Sequence, residues 1–455
     1  MTGCYILPAE VRASGPAGSN GRASALAVWA WVLYDFANTI FSLSILTVFF
    51  PAWVDQQVGS ASGWLFNSAT AFSALLVFLT APILGAMADL RQRRVPYLVV
   101  LTLISVLLTM GLDVAGGVVV GVALFVAADL TYQSAIVFYN ALLPVVAAGR
   151  GAGKISGYGT AAGYVGTILA LILLTFFVSD TEAMRSMLGP FGGWMQTGGE
   201  QNSNAFLPTA VLYLLFSLPV FFLVPDPAVR PPRPVALGAA YRDVVRTLRN
   251  LRGGYAGVGT FILATILYMD AANTAVSNMA LYGRQVFGMD SAEIRNLLLF
   301  STVFAVVGSA ATGFATDRVG PKKTLLAVLV LWLVSIGLAA AALEPWMLFL
   351  AGPLVGVALG GTWTVSRVML VALAPPEKLG EFFGLFSLAG RFSAVLGPAL
   401  TAILLLSFGR GAMAYRVSIG SLTLIMALGI FLLLRVPDAR PDPTLEEFVP
   451  EALVK

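Results

Sequence analysis

Runs of apolar residues, broken by short polar or charged connections, fill this chain from residue 27 to residue 434. Twelve such runs lie near 27–50, 64–88, 95–112, 118–143, 156–178, 206–224, 256–282, 297–316, 324–342, 346–370, 382–407 and 416–434. Each is close to the ~20 residues that a helix needs to cross a bilayer. Period-two alternation is absent and the runs exceed barrel-strand length, which argues against a membrane β-barrel. The pattern predicts an all-α integral membrane protein of twelve transmembrane helices. The longest polar connection on the basic side falls midway and divides the runs six and six. It predicts a tail over 1–25, a six-helix bundle over 26–224, a linker over 225–254, a second bundle over 255–434 and a tail over 435–455.

Polar residues inside these runs carry most of the information. In the first run Asp35, Asn38 and Ser42 share one helical face. A carboxylate at that depth costs roughly 2.5–3.5 kcal/mol on insertion scales, so something in the protein must compensate it. Asp270, Ala272, Asn273, Thr274, Ser277 and Leu281 repeat Asp35, Ala37, Asn38, Thr39, Ser42 and Leu46 at a constant offset of 235. The repeat reads either as a shared kink motif or as two equivalent polar helices contributed to one central site. The fourth run bears a stripe of Asp129, Tyr132, Gln133, Tyr139 and Asn140, and the tenth bears Trp363, Ser366 and Arg367. Tyr139 and Asn140 also fit a helix-end cap before Pro144, and Asp129 with Arg367 also fits a buried structural ion pair. Arg391 interrupts the eleventh run, and an arginine there needs a partner or a watery cavity. Gly157, Ala162 and Gly163 recur as Gly384, Ala389 and Gly390, small residues that allow close helix packing.

Two connections repeat as well. Gly85 and Asp89, followed by Arg91, Arg93 and Arg94, match Gly313 and Asp317, followed by Arg318, Lys322 and Lys323. The glycine permits close helix approach. The aspartate suits the amides at a neighbouring helix N-terminus, and the basic residues suit other helix ends. Such contacts form and break as two bundles rock, so these loops are expected to gate.

Charge orients the chain. Of its 27 Lys and Arg, five (positions 185, 284, 295, 410 and 416) fall on one side, and Arg367 and Arg391 lie within runs. The remainder fall on the other side, which the positive-inside rule makes cytoplasmic together with both termini. Within the linker, Tyr241, Val244, Val245 and Leu248 share a face while Arg242, Arg246 and Arg249 lie elsewhere. That segment reads as an amphipathic helix on the membrane surface or as a simple basic tether. There is no histidine and one cysteine, Cys4, which argues against zinc, haem and thiol or Ser-His-Asp chemistry. No cofactor or metal is implied. The first 25 residues hold no cleavable signal, and the net charge of +4 follows topology rather than nucleic-acid binding.

The paired loops resemble the loop signature of the major facilitator superfamily, although Gln92 stands where the first loop's glycine belongs. Tyr34-Asp-Phe-Ala-Asn-Thr39, Phe49-Phe-Pro51, Phe138-Tyr-Asn-Ala-Leu-Leu-Pro144, Phe382-Phe-Gly384 and Gly397-Pro398 narrow the likeness. Together they resemble the vacuole-effluxer-like branch, which includes fungal vacuolar amino-acid exporters. The resemblance implies a transporter of two pseudo-symmetric six-helix bundles and an amino-acid-type substrate. The expected site places Asp35 and Asp270 on opposite walls of a central cavity, with Asn38 and Asn273 adding amides. Arg367 and Arg391 would neutralise these carboxylates or bind a substrate carboxylate, and Asp35, Asp129 or Asp270 would carry a coupled proton. The expected partners are a small solute, a proton or other coupling ion and the lipid bilayer, for a monomer in a bacterial inner membrane. A drug or lipid exporter, with Trp31, Phe36, Tyr132 and Trp363 lining a larger cavity, is the alternative within transport. A channel, or a membrane enzyme using Asp180, Glu182 and Glu200 of the outer loop, is the alternative from another class.

Overall fold

The computed structural model of this chain describes residues 23–91, 93–179, 203–226, 237–392, 396–409 and 411–439. Among these residues eleven stretches are long and apolar enough to cross a membrane. The first, Ala25–Arg91, has 67 residues, which at ~1.5 Å per residue is far longer than one crossing. It makes two passes, turning at Gly59, whose φ of 57° suits a residue without a Cβ. Twelve passes result, as the hydrophobic pattern predicts.

Pass 1 comprises α1 (Ala25–Phe41), a π-helical segment (Ser42–Val48) and α2 (Phe49–Val58). Passes 2 to 4 are α3 (Ser62–Arg91), α4 (Val95–Asp113) and α5 (Val118–Ala141), the last followed by the short α6 (Leu143–Ala147). Passes 5 and 6 are α7 (Ala152–Ser179) and α8 (Phe206–Leu223), and α9 (Leu237–Asn250) lies in the linker. The second half holds α10 (Ala256–Phe287), α11 (Ser291–Val319), α12 (Pro321–Ala341) and α13 (Pro345–Leu373). Pass 11 is made by α14 (Leu379–Phe392) and α15 (Leu396–Phe408), and pass 12 is α16 (Ala412–Leu434). Pass 8 starts six residues before the hydrophobic run because a capping box builds its first turns: the Asp290 carboxylate accepts the Ala292 and Glu293 amides, and the Glu293 carboxylate accepts that of Asp290.

Hydrogen bonds among the connections fix which ends share a side. The Ala23 amide donates to the Ala148 carbonyl, the Arg94 amide to Asp226, the Arg94 guanidinium to the Pro376 carbonyl, and the Lys322 ammonium to the Val436 carbonyl. The connections after passes 2, 4, 6, 8 and 10 therefore lie beside the two ends of the described chain, on the side that carries the basic loops. The halves press together on this basic side. Gly85 of α3 lies against the backbone of Gly380, and Gly313 of α11 against those of Gly153 and Gly157, so closely that a Cβ would meet main chain. The segments at the opposite side, α2 and α15, pack on elements of their own half.

One feature departs from expectation, and the linker helix adds a docked face. The π-helical segment, in which the Thr47 hydroxyl donates to the Ser42 carbonyl five residues back at 3.1 Å, widens pass 1 just beyond the polar face. Its counterpart α10 is a regular helix of 32 residues, so the internal repeat loses register past Ser42. The linker helix α9 buries Ala240, Val244 and Thr247, its apolar pair packing on Ala86, Ile83 and Met87 of α3. Of the apolar stripe read from the sequence, Val244 is buried against α3 while Tyr241 and Leu248 are exposed on the protein. Lys378 reaches into this seam and bonds Asp243 and Thr247, both at 3.0 Å. The Pro-rich residues 227–236 lie outside the described residues.

The close contact at Gly313 leaves no space for a side chain, so Gly313→Leu should part α11 from α7. Overpacking of this kind costs ~1–3 kcal/mol, enough to raise opening about tenfold. Maleimide labelling of Ser309→Cys, buried beside Gly157, in a Cys4→Ser background should accelerate by that factor. An unchanged labelling rate would show that the seam is not held by this approach.

Candidate substrate pathway and gates

The two aspartates expected to gate occupy equivalent positions in the two halves. Asp89 at the end of α3 accepts the amides of Gly380 (3.0 Å) and Glu381 (2.8 Å) at the start of α14. Asp317 at the end of α11 accepts the amides of Gly153 (2.7 Å) and Lys154 (2.9 Å) at the start of α7. Each carboxylate thus caps a helix N-terminus belonging to the other half, where amides and dipole both favour negative charge. Arg94 and Lys322 serve helix C-termini. Arg94 bonds the Ala141 carbonyl (2.8 Å) and Asp89 (3.1 Å), and Lys322 bonds the Leu434 and Val436 carbonyls. Arg93 and Lys323 are exposed and make no ion pair among the described residues. At this same seam burial lifts the Asp226 carboxyl above its ordinary range, against the lowering effect of the Arg94 amide.

Deeper in the molecule two ion pairs cross between the halves. Arg367 of α13 bonds Asp35 of α1 at 3.1 Å, with its guanidinium 5.2 Å from the Trp31 ring and 5.5 Å from the Tyr139 ring. Arg391 of α14 bonds both oxygens of Asp129 of α5, at 2.8 and 2.9 Å. Ser73 of α3 (2.6 Å) and Gln133 (3.2 Å) complete the donors to Asp129, which is 1% exposed. The sequence suggested Asp129 with Arg367 as a structural pair, yet each has a different partner. The reason is helix order: α13 faces α1 and α7 whereas α14 faces α3 and α5.

Asp270 differs most from expectation. It is fully buried and accepts the amides of Leu396 (3.0 Å) and Gly397 (2.5 Å), the first residues of α15. Among the described residues neither arginine forms an ion pair with it, and both amides belong to its own half. It therefore caps a helix N-terminus within the second half instead of facing Asp35 across a cavity. The other residues of the stripe divide between roles. The Tyr132 hydroxyl donates to the Asn38 carbonyl (3.1 Å), the Ser42 hydroxyl to Thr39, and the Ser277 hydroxyl to the Asn273 carbonyl. Ser366 is bound to Tyr268 within the second half, while Trp363, one turn from Arg367, stays 39% exposed. Asn38 is buried with its side-chain carbonyl oxygen unpartnered. Sequence reasoning missed Ser73 and Glu381, since neither belongs to a repeat or a charged stripe. It named Trp31 and Tyr139 in other roles. The outer-loop acids Asp180, Glu182 and Glu200 lie outside the described residues.

Twelve passes in two halves, sealed on one side by paired helix caps and joined by charges at depth, define a transporter of the major facilitator type rather than an enzyme. The solved human organic anion transporter MFSD10 superposes with a TM-score of 0.67 over 92% of this chain and 100% of its own, at 15% identity, which speaks to the fold. The chain belongs to the family described as vacuole effluxer Atg22 like, whose model matches residues 149–443. An uncharacterized MFS-type transporter of Bacillus subtilis, YxiO, is 24% identical over 90% of this chain and 94% of its own length. Autophagy-related protein 22 of Yarrowia lipolytica is 25% identical over 66% of this chain and 53% of its own.

Removing Asp129 alone would strand the Arg391 charge, at a cost of about 3–5 kcal/mol. Asp129→Asn should therefore lower the unfolding midpoint in detergent markedly, and adding Arg391→Gln should recover at least half of the loss. Losses that simply add would mean that the two side chains are energetically independent.

Proposed function

We propose that this protein is a secondary active transporter that exports a small zwitterionic solute of the amino-acid type by alternating access, coupled to proton movement. The observation that carries this reading is the pair of carboxylate–guanidinium contacts made between the halves, Asp35 with Arg367 and Asp129 with Arg391. A zwitterion entering such a contact offers a carboxylate to the arginine and an ammonium to the aspartate, so neither buried charge is left unmet. A neutral sugar would leave both wanting, and an anion would need a proton on the aspartate. Asn38, with its free carbonyl oxygen beside Asp35 on α1, adds an acceptor for the ammonium. Alternation would break the Asp89 and Asp317 caps as the basic side opens. The family description as an effluxer supports the outward direction. The basic side is assigned to the cytoplasm on the charge rule, and the setting to a bacterial plasma membrane, with the protein acting as a monomer.

Proteoliposomes loaded with labelled amino acids test this reading. Flux should be saturable, should follow an imposed pH gradient, and should fall thirtyfold or more in Asp35→Asn and in Arg367→Gln, since truncating one member of a buried charge pair costs ~2–5 kcal/mol. The variants' unfolding midpoints must be measured alongside. Folded variants that transport at the parental rate would remove these pairs from the mechanism, and flux of bulky apolar drugs instead would favour the drug-export reading.

A further inference from the structure

Two cations on the basic side, Arg150 and Lys154, converge on one cavity. Arg94, Lys322 and Lys378 spend their donors on carboxylates or helix-end carbonyls. Among the described residues Arg150 donates only from Nε, to the Ala23 carbonyl at 2.8 Å, and neither it nor Lys154 makes an ion pair. Both line a cavity of about 360 Å³ between the first turns of α1 and α7. Its other walls include Val28, Ile155, Trp29 and Tyr158. Trp29 is 59% exposed and stacks on Tyr158 at 6.4 Å, and Leu26 beside it is 64% exposed. Exposed Trp and Leu in the first turns of a membrane helix mark the level where headgroups meet acyl chains.

The cavity thus combines a rim of two unspent positive charges, an aromatic pair at the interface and an apolar floor. We propose that it binds an anionic phospholipid, with the phosphate held by Arg150 and Lys154 and the glycerol and upper acyl chain against Trp29 and Tyr158. The walls of this site are also walls of the seam. The Lys154 ammonium lies 5.4 Å from the Phe314 ring centroid and Tyr158 meets that ring edge-on at 5.9 Å, while the amides of Gly153 and Lys154 hold Asp317. A lipid that fits this arrangement favours the state sealed on the basic side, because opening moves Phe314 and Asp317 away from the wall that the lipid contacts.

The test titrates the full-length protein in detergent micelles with phosphatidylglycerol, phosphatidylcholine or inorganic phosphate, and follows the thermal unfolding midpoint. Phosphatidylglycerol should stabilise saturably and phosphatidylcholine should not. Arg150→Gln with Lys154→Gln should raise the concentration needed by roughly thirtyfold, about fivefold for each cation lost. Should the double variant fail to fold, Trp29→Ala at its exposed position should still weaken the lipid response severalfold. Identical titrations for parent and variants, or equal stabilisation by phosphatidylcholine, would overturn the proposal. Stabilisation by inorganic phosphate alone would overturn the lipid assignment in favour of a soluble anion.

Discussion

A carboxylate withdrawn from water into a seam between helices must find donors there, and in this molecule most of those donors belong to the opposite half. Buried Asp89 takes backbone amides at a helix start and buried Asp35 and Asp129 take guanidiniums, while the exposed Asp317 repeats the amide contact in the second half. The two halves are consequently joined by polar groups that neither half satisfies alone. Glycine-on-backbone contacts at Gly85 and Gly313 bring the partners close enough to engage. Separation strands each charge unless water, a proton or a solute takes the partner's place. Broken buried pairs cost about 3–5 kcal/mol each, so parting these seams requires something to replace the lost partner.

The two gates are built alike and embedded differently. Asp317 is exposed, and its cap leads to Lys154, whose ammonium carries no ion pair among the described residues. Asp89 is buried with Arg94, beside Glu381, whose carboxylate bonds Lys378 at 2.9 Å. Lys378 in turn bonds Asp243 and Thr247 of the linker helix. The seam between α3 and α14 is therefore tied to the linker helix, whereas the seam between α7 and α11 is closed by the Asp317 cap and the approach of Gly153 to Gly313. Exposed hydrogen bonds contribute less than buried ones paired with charge. The two seams accordingly resist opening by different amounts, although their backbone geometry is equivalent.

Most of the fold was legible because the bilayer imposes it. Helix length, loop charge and the polar interruptions follow from the cost of moving backbone and charge into hydrocarbon. The capping aspartates were readable too: a glycine four residues before an aspartate, repeated half a chain apart, suits close helix approach and a helix-start cap. What the sequence did not reveal is which helix faces which. Asp35, Asp129, Arg367 and Arg391 all stood out as charges in apolar runs, but pairing depends on helix order around the bundle. Ser73 was invisible because a serine in a membrane helix satisfies itself on its own backbone as easily as on a neighbour. The docking of α9 on α3 was not legible, because apolar residues on a short surface helix have two places to go, a membrane surface or a neighbouring helix.

Asp35 and Asp270 show how far internal symmetry carries an argument. Both sit at equivalent points of pass 1 and pass 7, and both are buried carboxylates satisfied by donors from another helix. The donors differ in kind and in location. Asp270 is held by two amides of α15, within its own half, so this contact persists however the halves move. Asp35 is held by Arg367 of the other half, so its contact changes whenever they move. Duplication conserves position, because a polar residue at that depth needs a helix neighbour in either copy. It does not conserve role, because role depends on whether the neighbour travels with the carboxylate or away from it.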